Sequence, residues 1–307
     1  MPEMQWIPTS FEDQVKSLIE SVDVVLCDID GVLLNDSTAT PGSEQFVSKL
    51  RKRGKKLAFV TNNYYQPMAV LEERLKPFEA SSEEIVTPNT VLLDYLDARK
   101  FNQEIYIIGS GVTKRLLRNA GYKLIEYKDI QSEDLSEDPV ELEKLLEKAE
   151  DACTKVGAVY LDMDCNNTYA ALLVAEMILM QKKDILLLSG AVDDMGALDE
   201  KLKVVGPKYY IEEIERFTRK KSVGMAKPER GVSAVINSKL DIFDSGKVLM
   251  VGDNVRFDVG FAVNSGYQSC LVLTGVTTKE QVEDWSFAPE LKPDYVVTNL
   301  NELCEKF

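Results

Sequence analysis

The stretch VVLCDIDGVLL, residues 24–34, places two aspartates and a glycine directly behind an apolar run. Val24 to Cys27 have the unbroken apolar character of a strand buried on both faces of a parallel sheet. Asp28, Asp30 and Gly31 then stand at its carboxyl end. A plain turn would leave the same trace, because Asp and Gly are common turn residues. In an open parallel sheet, however, ligands bind beyond the carboxyl ends of the strands. The residues behind the other apolar runs therefore decide between the two readings.

Such runs recur along the 307 residues. VDVVLCDID (22–30), KLAFVTNN (56–63), EIYIIGSG (104–111), VGAVYLDMD (156–164), DILLLSG (184–190), GKVLMVGD (246–253), QSCLVLTG (268–275) and DYVVTNL (294–300) read as strands. Between them SEQFVSKLRKRG (43–54), MAVLEERLKPF (68–78), TVLLDYLDARK (90–100), TKRLLRNAG (113–121), TYAALLVAEMILMQKK (168–183) and FDVGFAVNSG (257–266) read as helices. This alternation predicts an α/β fold with parallel sheet covered on both faces. Residues 128–155 break the rhythm with a polar, acidic composition, half of it helical, and are expected to form a solvated surface excursion.

Bulk composition narrows the function. With 36 Lys and Arg against 51 Asp and Glu the net charge is −15, and no basic stripe interrupts it. Nucleic-acid binding is not expected, since neutralising phosphates supplies most of that affinity. The five cysteines (Cys27, Cys153, Cys165, Cys270, Cys304) lack CxxC spacing, which argues against a disulfide framework or structural zinc site. The first residues carry neither a basic region nor an apolar core, and no run is long enough to span a bilayer. A cytoplasmic chain without membrane partners is therefore expected. The chain contains no histidine, which removes His-based triads and His metal ligands.

Four short signals follow strand ends in one order: Asp28-Ile29-Asp30-Gly31, then Thr61-Asn62-Asn63, then Lys227-Pro228, then Asp253 with Asn254 and Asp258. Two carboxylates two residues apart can face the same side of extended backbone. One can attack phosphorus while the other handles the leaving-group proton. An attacking carboxylate and a phosphate repel, so a divalent metal belongs between them. Asp28, the backbone carbonyl of Asp30 and Asp253 supply the all-oxygen donors that magnesium prefers. The Thr61 hydroxyl and the Lys227 ammonium would hold phosphoryl oxygens, and Gly31 lets backbone approach the ligand.

DIDGV, VTNN, K-P and GDxxxxD in this order resemble the four motifs of the haloacid dehalogenase superfamily of phosphatases. A receiver domain, the other common Asp/Thr/Lys arrangement, puts its acidic pair first and its phosphorylated Asp on a later strand. The resemblance extends to the branch containing p-nitrophenylphosphatase, phosphoglycolate phosphatase and pyridoxal phosphatase, through DIDGVLL, VTNN, GMAKP, VGDNVRFD and EIYIIGSGVTKRLLRNAGYKL. It implies a three-layer Rossmann-like core, residues 1–102 and 222–307, with a large α/β cap inserted at 103–221. It also implies Asp28 as nucleophile, Asp30 as general acid and base, and Thr61, Asn62 and Asn63 around the phosphoryl group. Lys227 would neutralise that group, Asp28, Asp30 and Asp253 would hold Mg²⁺, and Asp258 with Asn254 would support them.

The implied activity is Mg²⁺-dependent hydrolysis of small phosphomonoesters through an aspartyl-phosphate, with a homodimer formed through the cap. Phosphoprotein or pyridoxal phosphate hydrolysis at the same site, or a silent binding protein, are the alternatives. Cap loops depart from the family pattern: Asp164-Cys165-Asn166-Asn167 replaces its DRHF-type loop, and Leu188-Ser189-Gly190 replaces ATN. Tyr64 and Tyr65 stand where small hydroxyl residues are usual, and are expected to pack rather than stack on a substrate. The echo VYLDMD around Asp162 and Asp164 is read as structural, because no Thr and Lys partners follow it.

Overall fold

A computed structural model describes residues 5–6, 12–131, 138–197 and 203–305. Of these, the residues up to Asn62, Pro67–Thr87 and those from Lys227 onward form one compact unit; Asn63–Gln66 and Pro88–Ala226 form a second.

The first unit is built on a seven-stranded sheet, parallel throughout, in the order Gln5–Trp6, Tyr295–Val297, Gln268–Val272, Val248–Gly252, Val24–Cys27, Lys56–Val60, Ile85–Val86. Val24–Cys27 lies at its centre, with Cys27 in register with Val251 on one side and Phe59 on the other. Alternate residues of a strand face opposite sides. Val25 and Cys27 join one apolar cluster with Leu249, Val251, Leu57 and Phe59, while Val24 and Leu26 are buried outside it. Burial on both faces is why these runs are apolar without interruption. The helix Glu12–Ser21 contributes Val15, Leu18 and Ile19 to the same cluster, and Ser43–Lys52 contributes Phe46, Val47 and Leu50. Each such buried side chain contributes roughly 1.5–3 kcal/mol. A short antiparallel hairpin, Leu34–Asn35 with Thr38–Ala39, follows the central strand and turns at Asp36, whose φ is 53°.

The second unit carries its own parallel sheet in the order Val223–Gly224, Leu186–Ser189, Val156–Leu161, Glu104–Ile108, Leu124–Ile125. Tyr106, Ile108, Val159 and Leu161 meet buried residues from the helices Tyr169–Gln181 and Lys208–Thr218. The helix Pro139–Cys153 joins them through Leu145 and Ala149. The acidic segment expected as a solvated excursion is thus partly a core helix. Its two core residues, Leu145 and Ala149, are four apart and share one face, which average composition conceals; residues 132–137 lie outside the described residues. The helix Pro88–Ala98 belongs to this unit as well, although the sequence places it before the insertion. Asn89 fastens it, donating to the Tyr64 carbonyl at 2.8 Å and accepting from Thr113 Oγ1 at 2.8 Å. Among the described residues no helix is long and apolar enough to cross a membrane.

Candidate active site

Because Val24–Cys27, Lys56–Val60 and Val248–Gly252 are adjacent and parallel, the residues that follow them emerge at one edge of the sheet. Asp28 continues the ladder by donating its N–H to the Val251 carbonyl at 2.9 Å, and Thr61 donates to that of Val86 at 3.0 Å. Asp28, Thr61, Lys227, Asp253 and Asp258 are all buried.

Lys227 binds this group together. Its Nζ donates to Asp28 Oδ1 at 2.6 Å, Asp258 Oδ1 at 2.7 Å and the Val60 carbonyl at 2.7 Å. Three donors with three acceptors satisfy an ammonium completely. Asn62 fixes the backbone of that lysine, accepting its N–H at 2.9 Å and donating to its carbonyl at 3.0 Å. The side-chain amide of Asn62 therefore orients Lys227. Asn63 falls in the second unit, where its Oδ1 accepts from the Gln66 N–H at 3.0 Å.

Asp258 Oδ2 accepts from the N–H groups of Asp253 at 3.1 Å and Asn254 at 3.0 Å. Asn254 in turn caps the π-helical turn Val255–Val259, its Oδ1 accepting from Arg256 and Phe257. Asp253 Oδ2 accepts from the Val276 N–H at 2.6 Å. Gly31, at φ 85°, lies so close that a Cβ there would meet the Asp253 carboxylate. Only glycine adopts that φ freely, and only its lack of a side chain admits that contact.

Two buried carboxylates, Asp28 and Asp258, share the Lys227 ammonium, and the buried Asp253 is held through its own backbone N–H by Asp258. Burial pushes Asp28 well above the ordinary carboxylate value; Lys227 opposes this, and Asp258 and Asp253 reinforce it. Asp253 is pushed up to about 7 by burial first and Asp258 second. Burial works against the charge on Lys227, yet Asp258 and Asp28 outweigh it and hold the ammonium above its usual value. Asp28, Asp253 and Asp258 offer carboxylate oxygens within 4.8 Å of one another. Both oxygens of Asp258 already accept hydrogen bonds, so Asp28 and Asp253 are the candidate ligands. The excess negative charge and the all-oxygen donor set fit a hard divalent cation such as Mg²⁺.

Asp30 differs from its neighbour. Its side chain is 49% exposed, and Oδ1 accepts from Arg74 Nη2 at 2.5 Å. The sequence motifs do not include Arg74, which closes the helix Met68–Arg74 some forty residues downstream. Cys27 lies in the apolar cluster, its thiol pushed up to about 12 by burial and by Asp28.

The echo in the second unit has a different construction. Asp162 is fully buried; it accepts from Tyr160 Oη at 2.9 Å and the Met163 N–H at 2.7 Å, and its carbonyl accepts from Tyr210 Oη. Its carboxylate occupies the space a Cβ on Gly190 would need. Burial pushes it up to about 7. Lys114 pairs with Asp164 at 2.7 Å and Glu126 at 2.9 Å. These carboxylates close a strand end and anchor a loop. Tyr64 packs against Ala191 and Ala226, whereas Tyr65 is exposed.

A profile of the Haloacid dehalogenase-like hydrolase family matches residues 25–123, and a HAD-hydrolase-like profile matches residues 224–303, together more than half of the chain. Phosphoglycolate phosphatase 2 of Arabidopsis thaliana is 25% identical over 298 residues, covering 94% of this chain and 95% of its own. Glycerol-3-phosphate phosphatase of Rattus norvegicus is 27% identical over 310 residues, covering 95% and 92%. The structure of p-nitrophenyl phosphatase from Archaeoglobus fulgidus superposes with a TM-score of 0.75 at 24% identity, over 93% of this chain and 99% of that one.

Proposed function

The chain belongs to the haloacid dehalogenase-like hydrolases, and on that premise we propose that it is a Mg²⁺-dependent phosphatase of small phosphomonoesters. The observation that carries this reading is Lys227, held between Asp28 and Asp258 where three strand ends converge. The relatives named for phosphoglycolate and glycerol 3-phosphate indicate compact phosphorylated metabolites as the substrate class.

Lys227 occupies one oxygen of Asp28, so the other is the nucleophile. It forms a bond to phosphorus as the ester P–O bond breaks, and Asp30 gives its proton to the departing alkoxide. Asp30, now a carboxylate, takes a proton from water as the water oxygen attacks phosphorus. Asp28 is released with inorganic phosphate, and Asp30 is protonated again. One residue serving as acid and then base is what a two-step displacement requires. Lys227 offsets the charge on the transferring oxygens, and Thr61 and the backbone following it hold them. A bound Mg²⁺, held by Asp28, Asp253 and the Asp30 carbonyl, would relieve repulsion between the nucleophile and the phosphoryl group.

Hydrolysis of p-nitrophenyl phosphate with and without Mg²⁺, beside Asp28→Asn, tests the proposal. Metal-dependent turnover abolished in a folded Asp28→Asn protein is the expected result. Retained turnover in that variant would remove Asp28 as the nucleophile.

A further inference from the structure

An exposed carboxylate that must deliver a proton along one direction needs something to hold its rotamer. The backbone around Asp30 is already fixed: Gly31 donates its N–H to the Leu34 carbonyl at 2.8 Å, and Thr274 Oγ1 donates to the Gly31 carbonyl at 2.5 Å. The side chain is the undetermined part, since half of it faces solvent. Arg74 is the opposite case, with a side chain only 13% exposed. Its Nη2 donates both to Asp30 Oδ1 at 2.5 Å and to the Asp36 carbonyl at 2.7 Å. Asp36 is the left-handed turn residue of the hairpin that follows the central strand. A single nitrogen thereby ties the carboxylate to a structured turn.

We propose that Arg74 is a positioning residue for the proton-transferring carboxylate, clamping Asp30 Oδ1 against the Asp36 turn so that Oδ2 is presented to the leaving group. This rests on the reading of Asp30 as general acid and base. Arg74 Nη2 is already engaged by Asp30 and by the Asp36 carbonyl, which favours positioning the carboxylate over direct capture of the substrate phosphate. Arg74 ends a helix whose own anchor, Leu71, is buried, as is Leu75 immediately after it, so the clamp has a rigid base. Displacing a reacting group by about 1 Å can lower a rate on the order of a hundredfold. Loss of the clamp should therefore be felt where the acid matters most.

The test compares kcat/KM, which reports phosphoryl transfer to Asp28, for an alkyl phosphate (glycerol phosphate) and for p-nitrophenyl phosphate. An alkoxide is a poor leaving group and needs the acid; p-nitrophenolate departs with little help. Arg74→Met should lower the alkyl-to-aryl ratio of kcat/KM about tenfold, a part of the roughly 10²–10⁴-fold that general acid catalysis contributes. Arg74→Lys should restore part of that ratio. Asp30→Asn should lower it further, and adding Arg74→Met to Asp30→Asn should then change nothing, as for two groups acting through one interaction. Equal losses on both esters, or a further loss in the double variant, would overturn the clamp and leave Arg74 structural. An unchanged ratio in Asp30→Asn would instead overturn the acid–base reading itself. If Arg74→Met lacks the native circular dichroism spectrum, Arg74→Lys alone and with Asp30→Asn carries the same comparison.

Discussion

Lys227 Nζ lies 2.6 Å from Asp28 Oδ1, although 199 residues separate them in the chain. The pair is buried and shares its cation with Asp258. A buried ion pair is costly to break from one side, because the remaining charges lose both water and partner.

Replacing Lys227 by Met should therefore destabilise the protein by about 3–5 kcal/mol and abolish turnover. Urea unfolding in metal-free buffer measures the first effect and p-nitrophenyl phosphate hydrolysis the second. A variant as stable as the parent would mean that the buried pairs of Lys227 contribute no net stability.

The metal reading makes a separate demand on Asp253. Its Oδ2 is held by the Val276 N–H, so the carboxylate presents its other oxygen in a fixed direction. Loss of groups that merely support a metal ligand weakens binding by about 10–100-fold. Asp253→Asn, which removes a charge directly, should raise the Mg²⁺ concentration for half-maximal activity by at least about tenfold. Activity titrated against Mg²⁺ shows it; superimposable titrations would exclude Asp253 as a ligand.

Asp162, in the second unit, offers a pH test of its own. Its folded-state value of about 7 stands against an ordinary 3.8. Between those values the folded protein keeps a proton that the unfolded chain has released, so this group's contribution to stability falls as pH rises toward 7. Asn cannot titrate, and Asp162→Asn should lose that slope. The stability of the variant relative to the parent should then grow by about 3 kcal/mol between pH 5 and pH 8. Parallel stability profiles would show that Asp162 is ionised at both ends of the range.

The site was legible where chemistry follows directly from strand order. Asp28, Thr61 and Asp253 each end an apolar run, and once the runs are parallel neighbours the three residues must share an edge. Arg74 was not legible in that way. A long side chain at a helix end can reach many places, and only tertiary structure brings it to Asp30. The helix Pro139–Cys153 was obscured for another reason: an acidic average hid the spacing of Leu145 and Ala149. Asp162 shows a third limit, since a second DxD resembles the first until its burial and its tyrosine partners are known.

Gly31 and Gly54 separate backbone strain from collision at the site. Both have positive φ, 85° and 69°. A Cβ on Gly54 would meet nothing within 4 Å, whereas one on Gly31 would meet the Asp253 carboxylate and the backbone of Gly275. A left-handed conformation costs an L-residue about 1–2 kcal/mol wherever it occurs. Gly54→Ala should lose about that much stability and keep its turnover and Mg²⁺ requirement, because the strain stays in an open turn. Gly31→Ala carries the same strain and must also displace Asp253. It should lose more stability than Gly54→Ala, turn over at least about tenfold more slowly, and need more Mg²⁺, given how steeply rates fall when reacting groups move by about 1 Å. Thermal unfolding and Mg²⁺ titrations on the two variants make the comparison. If both lose only stability, the close approach of Gly31 to Asp253 is packing; if Gly31→Ala alone loses metal-dependent turnover, the glycine is part of how the site holds its carboxylate.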